Sequence, residues 1–365
     1  MKILFYFGHP AQYLFLRETI RRLIKKNFQV KILIKTKDVL ENLLIQDGLE
    51  YTNILPQERG KTKLSIALSL VKRNLLLLPI LLRFKPNLVI GTDASIAQMG
   101  KLLGIERITI TEDDYAVIKT LGDLTYPFTQ TILCPEVCSV GKWEAKKAGY
   151  AGYMKLGYLH PNVFDPNKKI VEEYKLKKNY VIIRLAKLTA HHDFGIKGIS
   201  YDFLEKLITI IESKSKHVYI SSEDKIDDKY KKYLLKINPK DMHHVLYFAS
   251  LLICDSQSMS VEAAMLGVPS LRYSSFSGRI SVLEELEYQY GLTYGINPEH
   301  PERLIAKLEE LLAISNLSEV YHDRKQKMLA DKLDVTAFLV WFIENYPNSS
   351  HTMRENPDYQ NRFKH

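Results

Sequence analysis

The sequence predicts an α/β protein made of two doubly wound halves, and three observations carry that prediction. Short apolar runs of strand type alternate with helical stretches from Lys2 to Cys134, and the alternation restarts at Tyr180. Between the two series lies GYLHPNVFDPNKK, Gly157 to Lys169, with two prolines and several turn formers. A chain of 365 residues also exceeds the usual size of one domain.

Lys2 to Phe7 reads as a first strand, followed by a helix to Lys26 and a second strand from Gln29 to Lys35. Leu64 to Phe84 is apolar over most of its length, but Lys72, Arg73 and Asn74 sit at its middle and Pro79 follows. A spanning helix needs ~20 residues with few or no charges, so this segment does not cross a bilayer. Two readings stay open: a pair of core helices broken at Pro79, or a basic-rimmed surface that rests on a membrane. Further strands are expected at Asn87 to Gly91, Arg107 to Glu112 and Thr129 to Cys134, with helices from Ser95 and Lys142.

The second series runs through Tyr180 to Leu185, a helix from Ser200 to Ser213, His217 to Ser221, and a helix around Met242 to Ser250. Leu251 to Cys254 is then a short buried strand, Asp255 to Ser258 a polar turn, and Met259 to Leu266 a helix stopped by Gly267 with Pro269 beyond. Past Tyr294 the pattern is helical, and Asp334 and Thr336 open an apolar helix through Tyr346. From Pro347 the chain is polar and is expected to be loose. The expected divisions are therefore 1–160, 161–333, a last helix at 334–346, and a tail at 347–365.

Composition narrows the function. With 46% hydrophobic and 25% charged residues the chain is an ordinary globular protein. Lys plus Arg outnumber Asp plus Glu by 51 to 42, a net charge of +9 that favours anionic partners such as nucleotide diphosphates or anionic lipid head groups. Nucleic acid is not expected, because the basic residues are dispersed and no binding motif accompanies them. Cys134, Cys138 and Cys254 form an odd, sparse set that points to a reducing, cytoplasmic setting without disulfides. The N-terminal apolar run is too short for a signal-peptide core.

The candidate chemical groups gather at strand ends. His9, in Gly8-His9-Pro10 after the first strand, is a candidate base. Asp93 and the Glu112-Asp113-Asp114 run follow apolar strands, so their carboxylates reach the same sheet edge, where at least one of the run is expected only to cap a helix. In the second half Arg184 at a strand end can grip a phosphate bidentately, Lys187 adds a point charge, and His191 or His192 can approach the same place. A helix beginning at Ser258 aims its free N–H groups into the turn, which suits a phosphate, with Ser256 and Met259 beside it. Glu262, one turn in, can accept hydrogen bonds from neutral hydroxyls such as those of a ribose. The two adjacent histidines lack the spacing of a metal pair, and no metal is expected. GxxxxGK[ST], GxGxxG and GxSxG are all absent.

Taken together, GTD (Gly91 to Asp93), GYLHPNVFDP (Gly157 to Pro166), the Arg184 to Asp193 run and SxSMxxEAAxLGxP (Ser256 to Pro269) resemble the family catalogued as domain of unknown function 354. That family looks like a branch of the GT-B superfamily of nucleotide-sugar glycosyltransferases and non-hydrolysing UDP-N-acetylglucosamine 2-epimerases. The resemblance implies two Rossmann-like domains facing across a cleft, an acceptor-side first domain, a nucleotide-sugar on the second domain, and a last helix crossing back to the first. It implies Ser256 and Ser258 on the diphosphate, Glu262 on the ribose, Asp93 and Glu112 at the positions that epimerases use for proton transfer, and His9 as an acceptor base. The implied activity is a metal-independent glycosyltransferase of surface polysaccharide or glycoconjugate synthesis. Its substrates are a nucleotide-diphosphate sugar, UDP foremost, and a glycan or lipid-linked acceptor, with contact to the anionic inner face of a membrane. A nucleotide-sugar epimerase and a non-catalytic sugar-nucleotide-binding protein are the alternatives. Gln257 and Ser258 stand where relatives carry a Gly-Gly pair.

Overall fold

The computed structural model describes residues 1–37, 39–55, 63–185, 198–222 and 225–364. They form two compact units, Met1–Val163 with Lys332–His365, and Phe164–Asp331.

The first unit is an all-parallel sheet of order β3-β2-β1-β4-β5-β6-β7. Its strands are β1 (Lys2–Phe7), β2 (Gln29–Lys35), β3 (Tyr51–Leu55), β4 (Leu88–Gly91), β5 (Glu106–Ile110), β6 (Thr131–Pro135) and β7 (Lys147–Tyr150). Helices α1 (Pro10–Lys25), α2 (Leu40–Gln46), α3 (Lys63–Phe84), α4 (Ala94–Leu102) and α5 (Lys119–Thr125) connect them, and α6 (Leu156–Leu159) follows. A sheet covered by helices on both faces needs strands that are apolar throughout, as the fully buried LVIG of β4 is.

The second unit is a five-stranded parallel sheet of order β12-β11-β10-β8-β9. It comprises α7 (Lys168–Glu173), β8 (Tyr180–Leu185), α8 (Tyr201–Ser213), β9 (His217–Ser222), α9 (Met242–Tyr247), β10 (Leu251–Cys254), α10 (Gln257–Leu266) and β11 (Ser270–Tyr273). After these come α11 (Ser281–Tyr288), β12 (Thr293–Ile296), α12 (Pro301–Ala313) and α13 (Leu317–Asp331). Chain order reverses between β1 and β4 in one sheet and between β8 and β10 in the other. Such switch points open a crevice at the strands' carboxyl ends, and that is where doubly wound folds bind ligands.

Three expectations change. Leu64 to Phe84 is not a pair of helices: α3 runs unbroken through Pro79. Pro79 is on the exposed side, so the carbonyl one turn earlier that loses its N–H donor faces water, while Leu77 and Leu81 opposite are buried against Leu4, Tyr6 and Val89. The helix expected from Lys142 is a short 3-10 turn, Gly141–Lys146, that leads into β7.

The polar tail is not loose. Beyond α14 (Val335–Glu344), which packs on α1 and α6, it forms α15 (Asn348–Glu355) and a 3-10 turn, Pro357–Phe363. Its polar groups are bonded inward. The Ser350 hydroxyl lies 2.9 Å from that of Thr131, and Gln360 accepts the Ala151 N–H at 2.7 Å. Phe363 packs on Phe338 and Trp341. Among the described residues no helix is long and apolar enough to cross a membrane.

Candidate functional site

In the first unit His9, Asp93 and Glu112 stand at the carboxyl ends of β1, β4 and β5, three adjacent parallel strands, and so share one sheet edge. A small apolar dent, lined by Tyr6, Gln12, Phe15, Gly91, Thr92 and Met154 among others, lies at the β1 and β4 ends.

His9 is the N-cap of α1, and its Nδ1 accepts the Ala11 N–H at 3.2 Å. That bond occupies the Nδ1 lone pair and places the neutral ring's proton on Nε2, so the exposed imidazole presents a donor in this geometry. Asp93 is engaged on both oxygens. Oδ1 caps α4 through the Ser95 N–H (3.0 Å) and hydroxyl (2.7 Å), and Oδ2 pairs with Arg73 Nη1 at 3.0 Å. The pair is nearly enclosed, with side chains 6% and 11% exposed. The buried Tyr6 hydroxyl beside it has its pKa raised by desolvation and by the Asp93 charge.

Glu112 is equally committed: Oε1 accepts the Met154 N–H and Oε2 the Lys155 ammonium, each at 2.6 Å. Asp114 accepts the Ser139 N–H at 2.8 Å, tying two loops together. Asp113 differs from its neighbours. It is exposed to solvent, yet desolvation by surrounding protein and then the charge of Glu112 raise its carboxyl above the ordinary range. The sequence does not separate Asp113 from Glu112, because only the fold shows which of them takes the lysine.

In the second unit β10 is the axis of the site. Arg184 on β8 and Arg272 on β11 are both in register with Cys254, so the two arginines flank the last residue of β10 on either side. Burial pushes the Cys254 thiol up to about 12 despite both cations, and it stays neutral between them. Arg184 Nη1 donates to the Ser221 hydroxyl at 2.7 Å. Lys187, His191 and His192 lie outside the described residues.

The turn after β10 starts α10 two residues earlier than expected. Ser256, rather than Ser258, is the N-cap, its Oγ accepting the Met259 N–H at 3.3 Å, and Ser258 falls in the first helical turn. Gly267 ends the helix in the left-handed conformation (φ 75°), as glycine without a Cβ does readily. Met259 through Leu266 are all buried. Beneath them the hydroxyls of Ser260, Ser270 and Thr293 bond one another at 2.7–2.9 Å, fixing α10 to β11 and β12 with all three partnered.

Gln257, the first residue of α10, folds inward. Its Oε1 accepts from Arg272 Nη1 at 2.7 Å and its Nε2 donates to the Ser274 hydroxyl at 2.6 Å. Arg272 is 0% exposed, and its Nε and Nη2 make no hydrogen bond among the described residues. Desolvation lowers its pKa, and Glu287 opposes that loss. Gly295 makes room for it, since a Cβ there would come within 2.7 Å of Nη2. A buried guanidinium thus stands directly behind the α10 N-terminus and adds to the positive potential of its free N–H groups. Glu262, 11% exposed, lies 3.5 Å from His243 Nε2 on α9. Neither Arg272 nor His243 is marked by the sequence: SLRY reads as an ordinary strand and Met242-His243-His244 as an ordinary helix start.

No family model matches the chain, and no curated protein matches it in sequence. Solved structures do match it in shape. A Staphylococcus aureus protein described as an MnaA–UDP co-structure has a TM-score of 0.67 at 14% identity, over 95% of this chain and 97% of that one. Methanocaldococcus jannaschii UDP-GlcNAc 2-epimerase, in complex with UDP-GlcNAc and UDP, gives 0.61 at 16% identity over 90% and 99%. SsfS6, a Streptomyces sp. SF2575 glycosyltransferase, gives 0.57 at 13% identity over 94% and 100%. The chain has the GT-B fold. The narrower resemblance to domain of unknown function 354 stands on the sequence motifs alone.

Proposed function

We propose that the second unit binds a nucleotide-diphosphate sugar, with the diphosphate at the N-terminus of α10, and that the protein is a GT-B glycosyltransferase. The observation that carries this reading is the pair of arginines flanking Cys254 at the turn where α10 begins. Helix N–H groups, Arg184 and the buried charge of Arg272 together offer a diphosphate leaving group the compensation that a metal supplies elsewhere. Glu262, steadied by His243, is suited to accept the ribose hydroxyls. UDP is the nucleotide we favour, because two of the similar structures hold it. The inward turn of Gln257 leaves the helix N–H groups uncovered by that side chain and supports donor binding despite the missing Gly-Gly pair.

In this reaction an acceptor hydroxyl oxygen attacks the anomeric carbon, the bond from that carbon to the phosphate oxygen breaks, and the hydroxyl proton passes to a carboxylate base. Asp113 is the carboxylate best suited to take it, because Asp93 and Glu112 already balance Arg73 and Lys155. His9, with its proton on Nε2, is suited to hydrogen-bond a substrate oxygen, and serves as the base itself only if its cap to Ala11 opens. We place the reaction in cytoplasmic polysaccharide or glycoconjugate synthesis with a glycan or lipid-linked acceptor.

A 2-epimerase is the second reading, favoured by the higher TM-scores of structures described as UDP-GlcNAc 2-epimerases than of SsfS6. It asks Asp93 and Glu112 to exchange protons while both sit in close ion pairs. Incubating UDP-sugars without any acceptor separates the two: reversible inversion at the sugar supports the epimerase, and turnover only when an acceptor glycan is supplied supports the transferase.

Two substitutions test the residue roles. Glu262→Ala should weaken UDP binding by roughly tenfold, the worth of about one strong hydrogen bond, while UMP and uridine lose the same factor because each keeps the ribose. Calorimetric titration of the three ligands reads this. The carboxylate of Asp113 is the basic form, so the rate falls as pH drops through its raised pKa, and in Asp113→Asn this acid limb of the profile disappears along with most of the rate. Because the folded-state pKa lies above the unfolded value, ionised Asp113 costs stability at neutral pH. Asp113→Asn should therefore raise the melting temperature near pH 7 and leave it unchanged below the unfolded carboxyl's pKa.

A further inference from the structure

Helix α3 is apolar on two faces, one of which buries Leu77 and Leu81 in the core. Its inward face carries a charge, Arg73, ion-paired to Asp93, while aliphatic side chains point into solvent. Leu68 is 62% exposed, Val71 56%, Leu75 66% and Leu82 55%. These positions follow i, i+3, i+7 and i+14 and so form one stripe along the helix. Exposed Lys72 and Arg83 border that stripe, and α3 contains no acidic residue at all.

The stripe has a neighbour. Asn74 beside Leu75 donates to the Gln98 side chain at 2.9 Å, and Gln98 donates to the Leu124 carbonyl at 3.1 Å, so one hydrogen-bonded chain binds α3, α4 and α5 into a single outer layer of the first unit. On α5, Leu121 and Leu124 are 39% and 37% exposed. Solvated leucines on two helices of one layer exceed the scattered apolar residues of an ordinary surface.

We infer that this α3–α5 face is a docking surface for an anionic lipid bilayer, with the leucines entering the acyl boundary and Lys72 and Arg83 meeting the phosphate head groups. Charge chooses this occupant over a second copy of the chain. Two copies joined through the face would set like-charged margins against each other, whereas an anionic membrane complements them. The inference is independent of the nucleotide reading, because the face shares no residue with the α10 site.

Vesicle co-sedimentation of the full chain tests it. Vesicles containing phosphatidylglycerol should pull the protein down, pure phosphatidylcholine vesicles should do so at least tenfold less, and added salt should weaken the anionic binding. Leu75→Glu with Leu82→Glu should abolish sedimentation while the melting temperature stays unchanged, and Lys72→Glu with Arg83→Glu should remove only the preference for anionic lipid. The inference is overturned if the wild type stays in the supernatant with both vesicles. It is also overturned if the leucine variant binds as before, or if ultracentrifugation shows a dimer that Leu75→Glu dissociates.

Discussion

Replacing Arg73 with methionine should lower the stability of the first unit by about 3–5 kcal/mol, the cost of leaving one partner of an enclosed ion pair uncompensated. Asp93 would remain 11% exposed with only the Ser95 bonds to satisfy it. The double variant Arg73→Met with Asp93→Ser keeps a helix cap and removes both charges, and should recover most of the loss. Denaturant unfolding of the single and double variants gives the coupling directly. Recovery in the double variant would also show that the Asp93 charge itself balances a structural arginine, and would leave proton transfer on this edge to Asp113.

The second large effect concerns the nucleotide. Arg184→Met should weaken UDP binding by roughly 10- to 100-fold, corresponding to about 1.5–3 kcal/mol for a hydrogen bond to a charged group. Uridine, which lacks phosphate, should bind wild type and variant alike. Arg272→Met should behave differently: it removes buried charge from behind the helix and also frees Gln257, so affinity falls together with a loss of local order at the turn. Amide hydrogen exchange at Gln257 to Met259 separates these two effects.

Much of this was legible in the sequence because the elements obey their periods. β8, β10 and α10 are readable from an apolar run, a polar turn and a helix closed by Gly267, and their order alone places Arg184 and Ser256 at the carboxyl end of a parallel sheet. What the sequence concealed depends on contacts between distant residues. Arg73 and Asp93 are 20 positions apart, and nothing local says that the charge at the middle of an apolar helix points inward. Arg272 looks like any polar residue in a short strand, and Gln257 looks like an obstruction until its amide is seen turned onto Arg272 and Ser274. The tail misled in the opposite sense: its polar composition suggested disorder, but the hydroxyls and amides of Ser349, Ser350 and Gln360 are bonded in buried positions.

The account depends most on the anion site where α10 begins. Calorimetric titration of UDP into the wild type and Arg184→Met, with uridine as the phosphate-free control, tests it most directly. The wild type should bind UDP at least tenfold more tightly than uridine, and Arg184→Met should cut that preference by at least tenfold. Equal affinity of the wild type for both ligands, or an unchanged UDP affinity in the variant, would contradict it.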